Sequence, residues 1–127
     1  MVNVTPSILI TDDDRGFRET VRDLLEPQGF RTLLAADGEE ALEIVRFEPV
    51  HLLVLDMHMP KLTGLETIRE IKRMRALLPC ILVSAAFDEE LERLAQEQAF
   101  SVLHKPVSGH KITQTVRLAL RWTYNWR

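Results

Sequence analysis

Apolar and polar positions follow two different periods along this chain of 127 residues. Five short runs rich in Val, Leu and Ile predict β-strands within residues 7–11, 31–36, 50–60, 80–84 and 101–104. Between them, apolar residues three or four positions apart predict amphipathic helices over residues 17–25, 39–47, 65–75, 88–98 and 108–122. The alternation, with short connections, predicts a parallel α/β sheet with helices on both faces and right-handed crossovers.

The central run, VHLLVLDMHMP at residues 50–60, is apolar at consecutive positions rather than at alternate ones. This pattern is typical of a strand that is buried on both faces, as parallel strands are. Asp56 is the only acidic residue of the run and stands where the strand should end. Because ligands bind at the carboxyl edge of open α/β sheets, Asp56 is the first candidate for a functional residue.

The helices have recognisable ends and inward faces. Asp14 is expected to cap the first helix, and a turn is predicted at Asp37-Gly38 before the second. The inward face of the third helix should comprise Leu65, Ile68 and Ile71, with Met74 as a further candidate, and that of the last helix Ile112, Val116, Ala119 and Leu120.

Length and composition indicate one domain over residues 1–127, with a core of about 7–122. Its 46% hydrophobic and 28% charged residues are typical of a globular protein, and no run approaches the roughly 18 apolar residues that span a bilayer. The chain start lacks the features of a signal peptide, and the single Cys80 is expected in the core. These observations predict a cytoplasmic location and no membrane association.

The formal net charge of -3 is unevenly distributed. Residues 104–127 contain five basic and no acidic residues, so the preceding part has 11 basic against 19 acidic residues. A basic end can attract an acidic surface, but charges along one helix without a recognition motif are a weak signal for nucleic acid. We interpret them as a solvated helix face and expect no direct nucleic-acid binding by this domain.

Polar residues follow four of the five predicted strands: Asp12 and Asp13, then Asp56, Ser84 and Lys105. Because parallel strands end at one edge, the three carboxylates should lie close together and repel one another unless a cation sits among them. Oxygen ligands without a cluster of Cys or His favour Mg²⁺ or Mn²⁺. Such a metal, an ammonium and a hydroxyl could hold a phosphoryl group beside a nucleophilic Asp.

These residues lie in four segments: ILITDDD at 8–14, LVLDMHMP at 53–60 with Gly64 following, VSA at 83–85 and HKP at 104–106. In this order and spacing, the chain resembles the receiver domain of bacterial two-component response regulators. The resemblance implies a flavodoxin-like, doubly wound, three-layer fold with five helices and strand order 2-1-3-4-5. It implies a phosphorylation-dependent switch, with at most self-catalysed phosphotransfer and autodephosphorylation.

The resemblance also implies roles for the acidic residues. Asp56 would accept the phosphoryl group from a phosphohistidine on a sensor histidine kinase or a phosphotransfer protein. Mg²⁺ would be bound by Asp13, Asp56 and the backbone carbonyl of His58, and Asp12 would contribute through a water.

Ser84 and Lys105 would each hold an oxygen of the phosphoryl group, and the Lys105-Pro106 peptide bond would be cis. Phosphorylation adds roughly two negative charges and new acceptor oxygens, which would draw these two side chains in. The resulting shift would reach the face formed by the fourth helix, fifth strand and fifth helix, where partners or a second receiver dock in the family.

Some positions depart from the family's pattern. Receivers often carry Tyr or Phe three residues before the conserved Lys, whereas this chain has Val102, so aromatic switching is not expected in its usual form. His58 and Ala86 occupy positions that tune the lifetime of the phosphoryl group in the family.

Two surface features suggest contacts. The fourth helix is acidic and the fifth carries Lys111, Arg117 and Arg121, so dimerisation on phosphorylation, weakened by salt, is a hypothesis. The aromatic residues Trp122 and Tyr124, with Trp126 beyond them, would either form an interface or fold back on the domain.

Two other functions remain as alternatives. In a phosphohydrolase resembling the haloacid dehalogenase superfamily, Asp12 and Asp14 would be nucleophile and acid. That family needs Thr or Val where Gly16 stands, and acidic ligands after the Lys, whereas residues 106–127 contain none. The other alternative is a receiver-like interaction module that is never phosphorylated, against which the complete set of predicted site residues argues.

Overall fold

The computed structural model describes residues 4–86 and 88–126, in which five strands alternate with five α-helices. The strands are β1 (Ser7–Thr11), β2 (Arg31–Ala35), β3 (Leu52–Asp56), β4 (Cys80–Ser84) and β5 (Ser101–His104). The helices are α1 (Arg15–Leu25), α2 (Gly38–Phe47), α3 (Gly64–Met74), α4 (Glu89–Gln98) and α5 (Gly109–Tyr124). The expectations for the chain start and for the basic residue Arg127 concern positions outside the described residues.

All neighbouring strands pair in parallel, in the order β2-β1-β3-β4-β5, which confirms the predicted doubly wound topology. The pairing register aligns the strand ends: Thr11 lies beside Leu55, and Ser84 beside His104. The residues that follow the strands therefore emerge at one side of the sheet, which we call the carboxyl edge. The opposite side, where the strands begin, is the amino edge.

The sheet is buried on both faces, and each face has its own apolar core. Leu9, Leu53 and Leu55 pack against α2, α3 and α4 on one face. Ile8, Ile10, Leu52 and Val54 pack against α1 and α5 on the other face. Because successive side chains of a strand point to opposite faces, two buried faces require apolar residues at consecutive positions. This arrangement explains the continuous apolar run that precedes Asp56.

A short polar side chain accepts a backbone N–H at the start of each described α-helix; the five caps are Asp14, Asp37, Thr63, Asp88 and Ser108. The cap by Asp14 is as predicted. The separate turn predicted at Asp37-Gly38 is wrong, because Asp37 is the cap and Gly38 is already the first helical residue. A Cβ atom at Gly38 would collide with the side chain of Thr67, so only glycine allows α2 to approach α3 here.

Two other details differ from the prediction. Met74 is 37% exposed rather than inward, because an apolar stripe with a spacing of three drifts around the helix and Met74 lies about half a turn from Leu65. The last helix continues past Trp122 to Tyr124, and Asn125 ends it with a left-handed φ of 57°. None of the described helices is long and apolar enough to span a membrane.

Folding back, one of the two predicted roles of the carboxyl-terminal aromatics, is confirmed for Tyr124 and Trp126, whereas an interface role for Trp122 stays a prediction. Trp122 is 83% exposed, whereas Tyr124 and Trp126 fold back and stack on each other at 4.5 Å between ring centroids. Cys80 is buried in the core as expected, and burial raises the pKa of its thiol to about 12. Cys80 is therefore a packing residue and not a reactive thiol.

Candidate functional site

Carboxylates from two neighbouring strands converge at the carboxyl edge. Asp12 and Asp13 directly follow β1, and Asp56 is the last residue of β3, which pairs with β1. One carboxylate oxygen from each of the three residues lies within 4.8 Å of the others. Asp12 is fully buried and Asp56 is 6% exposed, while Asp13 lies at the surface. The predicted acidic cluster is therefore present, and it opens to solvent through Asp13.

Asp12 is held by three polar contacts. Its Oδ1 accepts the backbone N–H of Asp14 at 2.8 Å, and its Oδ2 accepts a hydrogen bond from Lys105 Nζ at 2.8 Å. Its carbonyl oxygen accepts a hydrogen bond from the guanidinium of Arg18 at 2.7 Å. The first two contacts fix the buried carboxylate in place and compensate for its loss of hydration, and the third holds the backbone of Asp12.

Lys105 brings a positive charge into the cluster from β5. Its Nζ lies 2.8 Å from Asp12 Oδ2, 3.7 Å from Asp56 Oδ1, and 4.3 Å from the centre of the Phe17 ring. Burial lowers the pKa of Lys105, but the hydrogen bond from Lys105 to Asp12 and the charges of Asp12 and Asp56 outweigh burial and raise that pKa overall. The Lys105-Pro106 peptide bond is cis, as the resemblance predicts.

The charges around Asp56 do not balance. Burial and the neighbouring charge of Asp12 raise the pKa of Asp56, and Asp13 adds to this effect. The ammonium of Lys105 and the backbone N–H of His58 act in the opposite direction but do not cancel it. The pocket therefore has a surplus of negative charge that one lysine does not neutralise.

The donor set fits a hard divalent cation. It consists of carboxylate oxygens without thiolate or imidazole among them, which suits Mg²⁺ and Mn²⁺ better than softer metals. A cation in the cluster would offset the repulsion that, together with burial, raises the pKa of Asp56. The imidazole of His58 is exposed, so any role of His58 depends on its backbone, and the predicted contribution of its carbonyl stays a prediction.

Ser84 lies at the predicted edge but is engaged with its own loop. It is the last residue of β4 and is 5% exposed. Its hydroxyl donates to the carbonyl oxygen of Ala86 at 2.7 Å, and its Oγ also accepts the N–H of Ala86 at 3.3 Å. A hydroxyl bound in this way must exchange its acceptor before it can bind a ligand at the acidic cluster.

Two residues of α1 contact the site and were not identified from the sequence. Phe17 was assigned to the apolar stripe of the first helix, yet its ring faces the ammonium of Lys105. Arg18 donates to the carbonyl of Asp12. The sequence did contain a signal for both residues. They lie in the first turn of the helix that follows Asp12 to Asp14, and this turn starts at the carboxyl edge.

The region behind Ser84 contains Val102 in place of the usual aromatic residue. A small cavity of about 10 Å³ lies between β5 and α4, and Met57, Ser84 and Val102 line part of it. Next to it, His104 Nε2 lies 3.1 Å from Glu92 Oε1, which joins the end of β5 to α4.

Comparisons with known proteins agree with this geometry. The sequence model of the protein family described as response regulator receiver domain matches residues 8–117. The chain is 41% identical over 118 residues to the response regulator MprA of Mycobacterium ulcerans, and 32% identical over 123 residues to the response regulator RR06 of Streptococcus pneumoniae. These matches cover 91% and 93% of this chain but 50% and 54% of those proteins. The chain thus spans about half the length of the curated relatives it matches.

Solved structures show the same architecture. A CheY-like receiver domain from Methanospirillum hungatei superposes with a TM-score of 0.92 at 23% identity, over 96% of this chain and 98% of that one. A receiver domain from Clostridium thermocellum has a TM-score of 0.87 at 30% identity, over 94% of this chain and 97% of that one.

Fold and site define a doubly wound α/β domain with an acidic pocket at its carboxyl edge. The chain belongs to the response regulator receiver domain family of two-component systems.

Proposed function

We propose that Asp56 accepts a phosphoryl group from a phosphohistidine of a sensor histidine kinase or a phosphotransfer protein. The observation that carries this proposal is a carboxylate at the end of a buried strand, 3.7 Å from the ammonium of Lys105. In the reaction, an Asp56 carboxylate oxygen forms a bond to phosphorus while the bond from phosphorus to the imidazole nitrogen breaks. The imidazole keeps the electron pair and takes up a proton, and Asp56 becomes an acyl phosphate.

Mg²⁺ would be held by Asp13, Asp56 and the backbone carbonyl of His58, with Asp12 contributing through a water. When bound, this cation supplies positive charge to the phosphoryl oxygens and allows the ionised carboxylates to remain together. Support comes from the carboxylate oxygens within 4.8 Å of one another and from the raised pKa of Asp56.

After phosphorylation, Lys105 would exchange its contact with Asp12 for an oxygen of the phosphoryl group. Ser84 would exchange the carbonyl of Ala86 for another oxygen, which would release the loop between β4 and α4. Both exchanges follow from the roughly two negative charges that phosphorylation adds. The residues therefore act as a switch whose input is the charge on Asp56.

The shift would reach the face of α4, β5 and α5, where a partner, an output domain or a second copy would dock. Val102 has no aromatic ring, so it cannot act as an aromatic switch residue. The contact between His104 and Glu92 joins β5 to α4 directly beside Lys105, so it offers another mechanical connection. A relay through His104 and Glu92 would not need an aromatic residue at position 102, where this chain departs from the usual family pattern.

The proposed pairing of two copies rests on fewer charges than the sequence alone suggests. Arg117 is directed away from α4, because it donates to Gln28 and lies over the ring of Phe30. In α4, Arg93 neutralises part of the acidic surface through Glu90 and Glu97. Salt-sensitive dimerisation would therefore depend on Lys111 and Arg121.

The alternative functions differ in their support. Membership of the receiver family argues against a haloacid-dehalogenase-like hydrolase, and the carboxylate of Asp14 is used to cap α1 through the N–H of Gly16 at 2.9 Å. A receiver that acts as an interaction module without phosphorylation has the same fold. Only a phosphorylation experiment separates it from the main proposal.

That experiment is incubation with Mg²⁺ and acetyl phosphate, followed by intact mass spectrometry. We expect the wild type to gain the mass of one phosphoryl group and Asp56→Asn to gain none, because the variant lacks the nucleophilic oxygen. Asp23→Asn, an exposed Asp on α1, is the matched control and should behave as the wild type. No gain of mass in the wild type, or an equal gain in Asp56→Asn, would contradict the proposal.

A further inference from the structure

We propose that Phe17 is a positioning residue that holds the ammonium of Lys105 beside Asp56. This inference rests on the proposed phosphoacceptor function, since Lys105 matters there as the ligand of a phosphoryl oxygen. The Nζ atom lies 4.3 Å from the centre of the Phe17 ring, and the carboxylates of Asp12 and Asp56 also contact it at 2.8 Å and 3.7 Å. The ammonium is therefore held by two anions and one aromatic face.

The ring face is a suitable contact for a cation that must change partners. Its negative quadrupole attracts an ammonium without accepting a directional hydrogen bond. A carboxylate in the same place would compete with the phosphoryl group for the N–H donors of Lys105. Phe17 can thus keep the cation in the pocket while the hydrogen bonds of Lys105 pass from Asp12 to a phosphoryl oxygen.

The surroundings show why Lys105 needs such a contact. A cavity of about 650 Å³ opens between α1 and α5, and Phe17, Lys105 and Asp14 all contribute to its wall. The four-carbon stem of Lys105 is flexible, and its ammonium is strongly hydrated when free. Without the ring, the ammonium could turn into this open cavity towards water and the carboxylate of Asp14, whose charge already acts on Lys105.

The position of Phe17 is fixed by the start of α1. Asp14 caps the helix through the N–H of Gly16, and Val21, one turn after Phe17, is buried in the core. The ring therefore rests on a rigid element rather than on a loop. A rigid support is what a positioning residue requires, because small displacements of a charged group reduce catalysis.

The test compares Phe17→Leu, which keeps an apolar side chain, with Phe17→Tyr, which keeps the aromatic face. With acetyl phosphate and Mg²⁺ no partner protein takes part, so effects on docking do not enter the rate. We expect Phe17→Leu to slow phosphorylation of Asp56 by about three- to tenfold, as loss of a partly exposed cation–π contact predicts, and Phe17→Tyr to restore most of the rate. Phe30→Leu removes the ring beneath Arg117 far from the site and is the matched control, expected at the wild-type rate.

A second measurement examines the resting protein. In its NMR spectrum the ε-methylene protons of Lys105 should be shifted upfield by the ring current of Phe17, and this shift should disappear in Phe17→Leu. Unshifted protons in the wild type, an unchanged rate in Phe17→Leu, or a Phe17→Tyr rate as low as that of Phe17→Leu would overturn the inference. An upfield shift in a wild type that is not phosphorylated would overturn the proposed function alone, and the positioning of Lys105 by Phe17 would stand.

Discussion

At the carboxyl edge of the sheet, three carboxylates lie close together and two of them, Asp12 and Asp56, contact the ammonium of Lys105. The pKa of Asp56 is raised by burial and by the charge of Asp12. At the amino edge, three polar side chains, those of Arg75, His51 and Tyr124, instead form hydrogen bonds with backbone groups. Arg75 donates hydrogen bonds to the carbonyls of Val45, Glu48 and Val50, where α2 ends and β3 approaches. The charge of Arg75 is thus matched by backbone carbonyls, whereas the charge of Asp56 remains opposed by burial and by a neighbouring carboxylate.

Two other side chains at the amino edge, His51 and Tyr124, also form hydrogen bonds with backbone groups. His51 Nδ1 accepts the backbone N–H of Ser7 at 2.9 Å, and the Tyr124 hydroxyl donates to the carbonyl of His51 at 2.8 Å. The rings of Tyr124 and Trp126 pack edge-on against the His51 ring. These contacts connect the start of β3 to β1 and to the end of α5, so this edge stabilises the fold.

The comparison separates polar residues that hold the fold from those available for chemistry. A group whose hydrogen bonds are satisfied by the backbone gains nothing from a ligand. A group kept in an unfavourable charge state, as Asp56 is, becomes more stable when a cation or a covalent modification changes the local charge. Residual electrostatic conflict is therefore a better guide to the functional edge of this domain than polarity alone.

The largest effect is expected at the amino edge. Arg75→Ala should lower the free energy of unfolding by about 2–3 kcal/mol, because hydrogen bonds from a charged donor to three carbonyls are lost. Urea unfolding followed by circular dichroism measures this change. Arg73→Ala is the matched control, since Arg73 forms a surface ion pair with Glu70, and its change should stay within about 0.5 kcal/mol. Equal effects of the two variants would mean that the amino edge does not have the structural role argued above.

At the carboxyl edge we expect a change of opposite sign. The pKa of Asp56 is raised in the folded state, so the stability linked to this group is present below its usual pKa of 3.8 and is lost as pH rises through the folded pKa. At pH 7 in a chelator, Asp56→Asn should therefore raise the free energy of unfolding by about 0.5–1 kcal/mol, a range that allows for solvent screening at the rim.

Addition of Mg²⁺ provides a further test of the carboxylate cluster. It should stabilise the wild type against urea and should stabilise Asp56→Asn less, because the variant lacks one carboxylate of the cluster. Asp23→Asn serves again as the control and should respond to Mg²⁺ as the wild type does. A chelator-treated Asp56→Asn that is less stable than the wild type would show that burial and repulsion do not destabilise the ionised Asp56 in the folded protein.

The carboxyl edge was predictable from sequence in most of its parts. Asp12, Asp13 and Asp56 follow apolar runs, and parallel pairing alone brings such positions together. Phe17 was not recognised, because a residue on an apolar stripe gives no sign that its ring faces a cation. The engagement of Ser84 with Ala86 depends on the conformation of one loop, which hydrophobic periodicity does not describe.

The amino edge was less accessible to sequence reasoning. Its contacts join side chains to backbone carbonyls and N–H groups, which every residue has, so no motif marks them. Arg75 was predicted only as the end of a helix, and His51 only as part of an apolar run. Helix bounds were predicted to within a few residues, since Asp14 was recognised as a cap and Asp88 as the start of its helix, whereas Met74 was misplaced by the drift of its stripe.

The smallest expected effect is the response of the amino edge to pH. Burial, followed by the charge of Arg75, lowers the pKa of His51 below its usual 6.5, and the Nδ1 atom that would take up a proton already accepts the N–H of Ser7. The stability linked to neutral His51 is therefore present above pH 6.5 and is lost as pH falls towards the lower folded pKa. Between pH 7 and pH 5 the wild type should lose about 0.5 kcal/mol more than His51→Asn, after allowance for solvent screening.

Urea unfolding at both pH values measures this difference, and the acidic residues common to both proteins cancel in it. His51→Asn keeps an acceptor for the N–H of Ser7 while removing the titrating ring, so its lower overall stability does not affect the comparison of slopes. His110→Asn, an exposed position on α5, is the matched control and should keep the wild-type slope. If His51→Asn also kept that slope, the pH response would have to come from the carboxyl edge, where the conflict around Asp56 predicts the opposite sign.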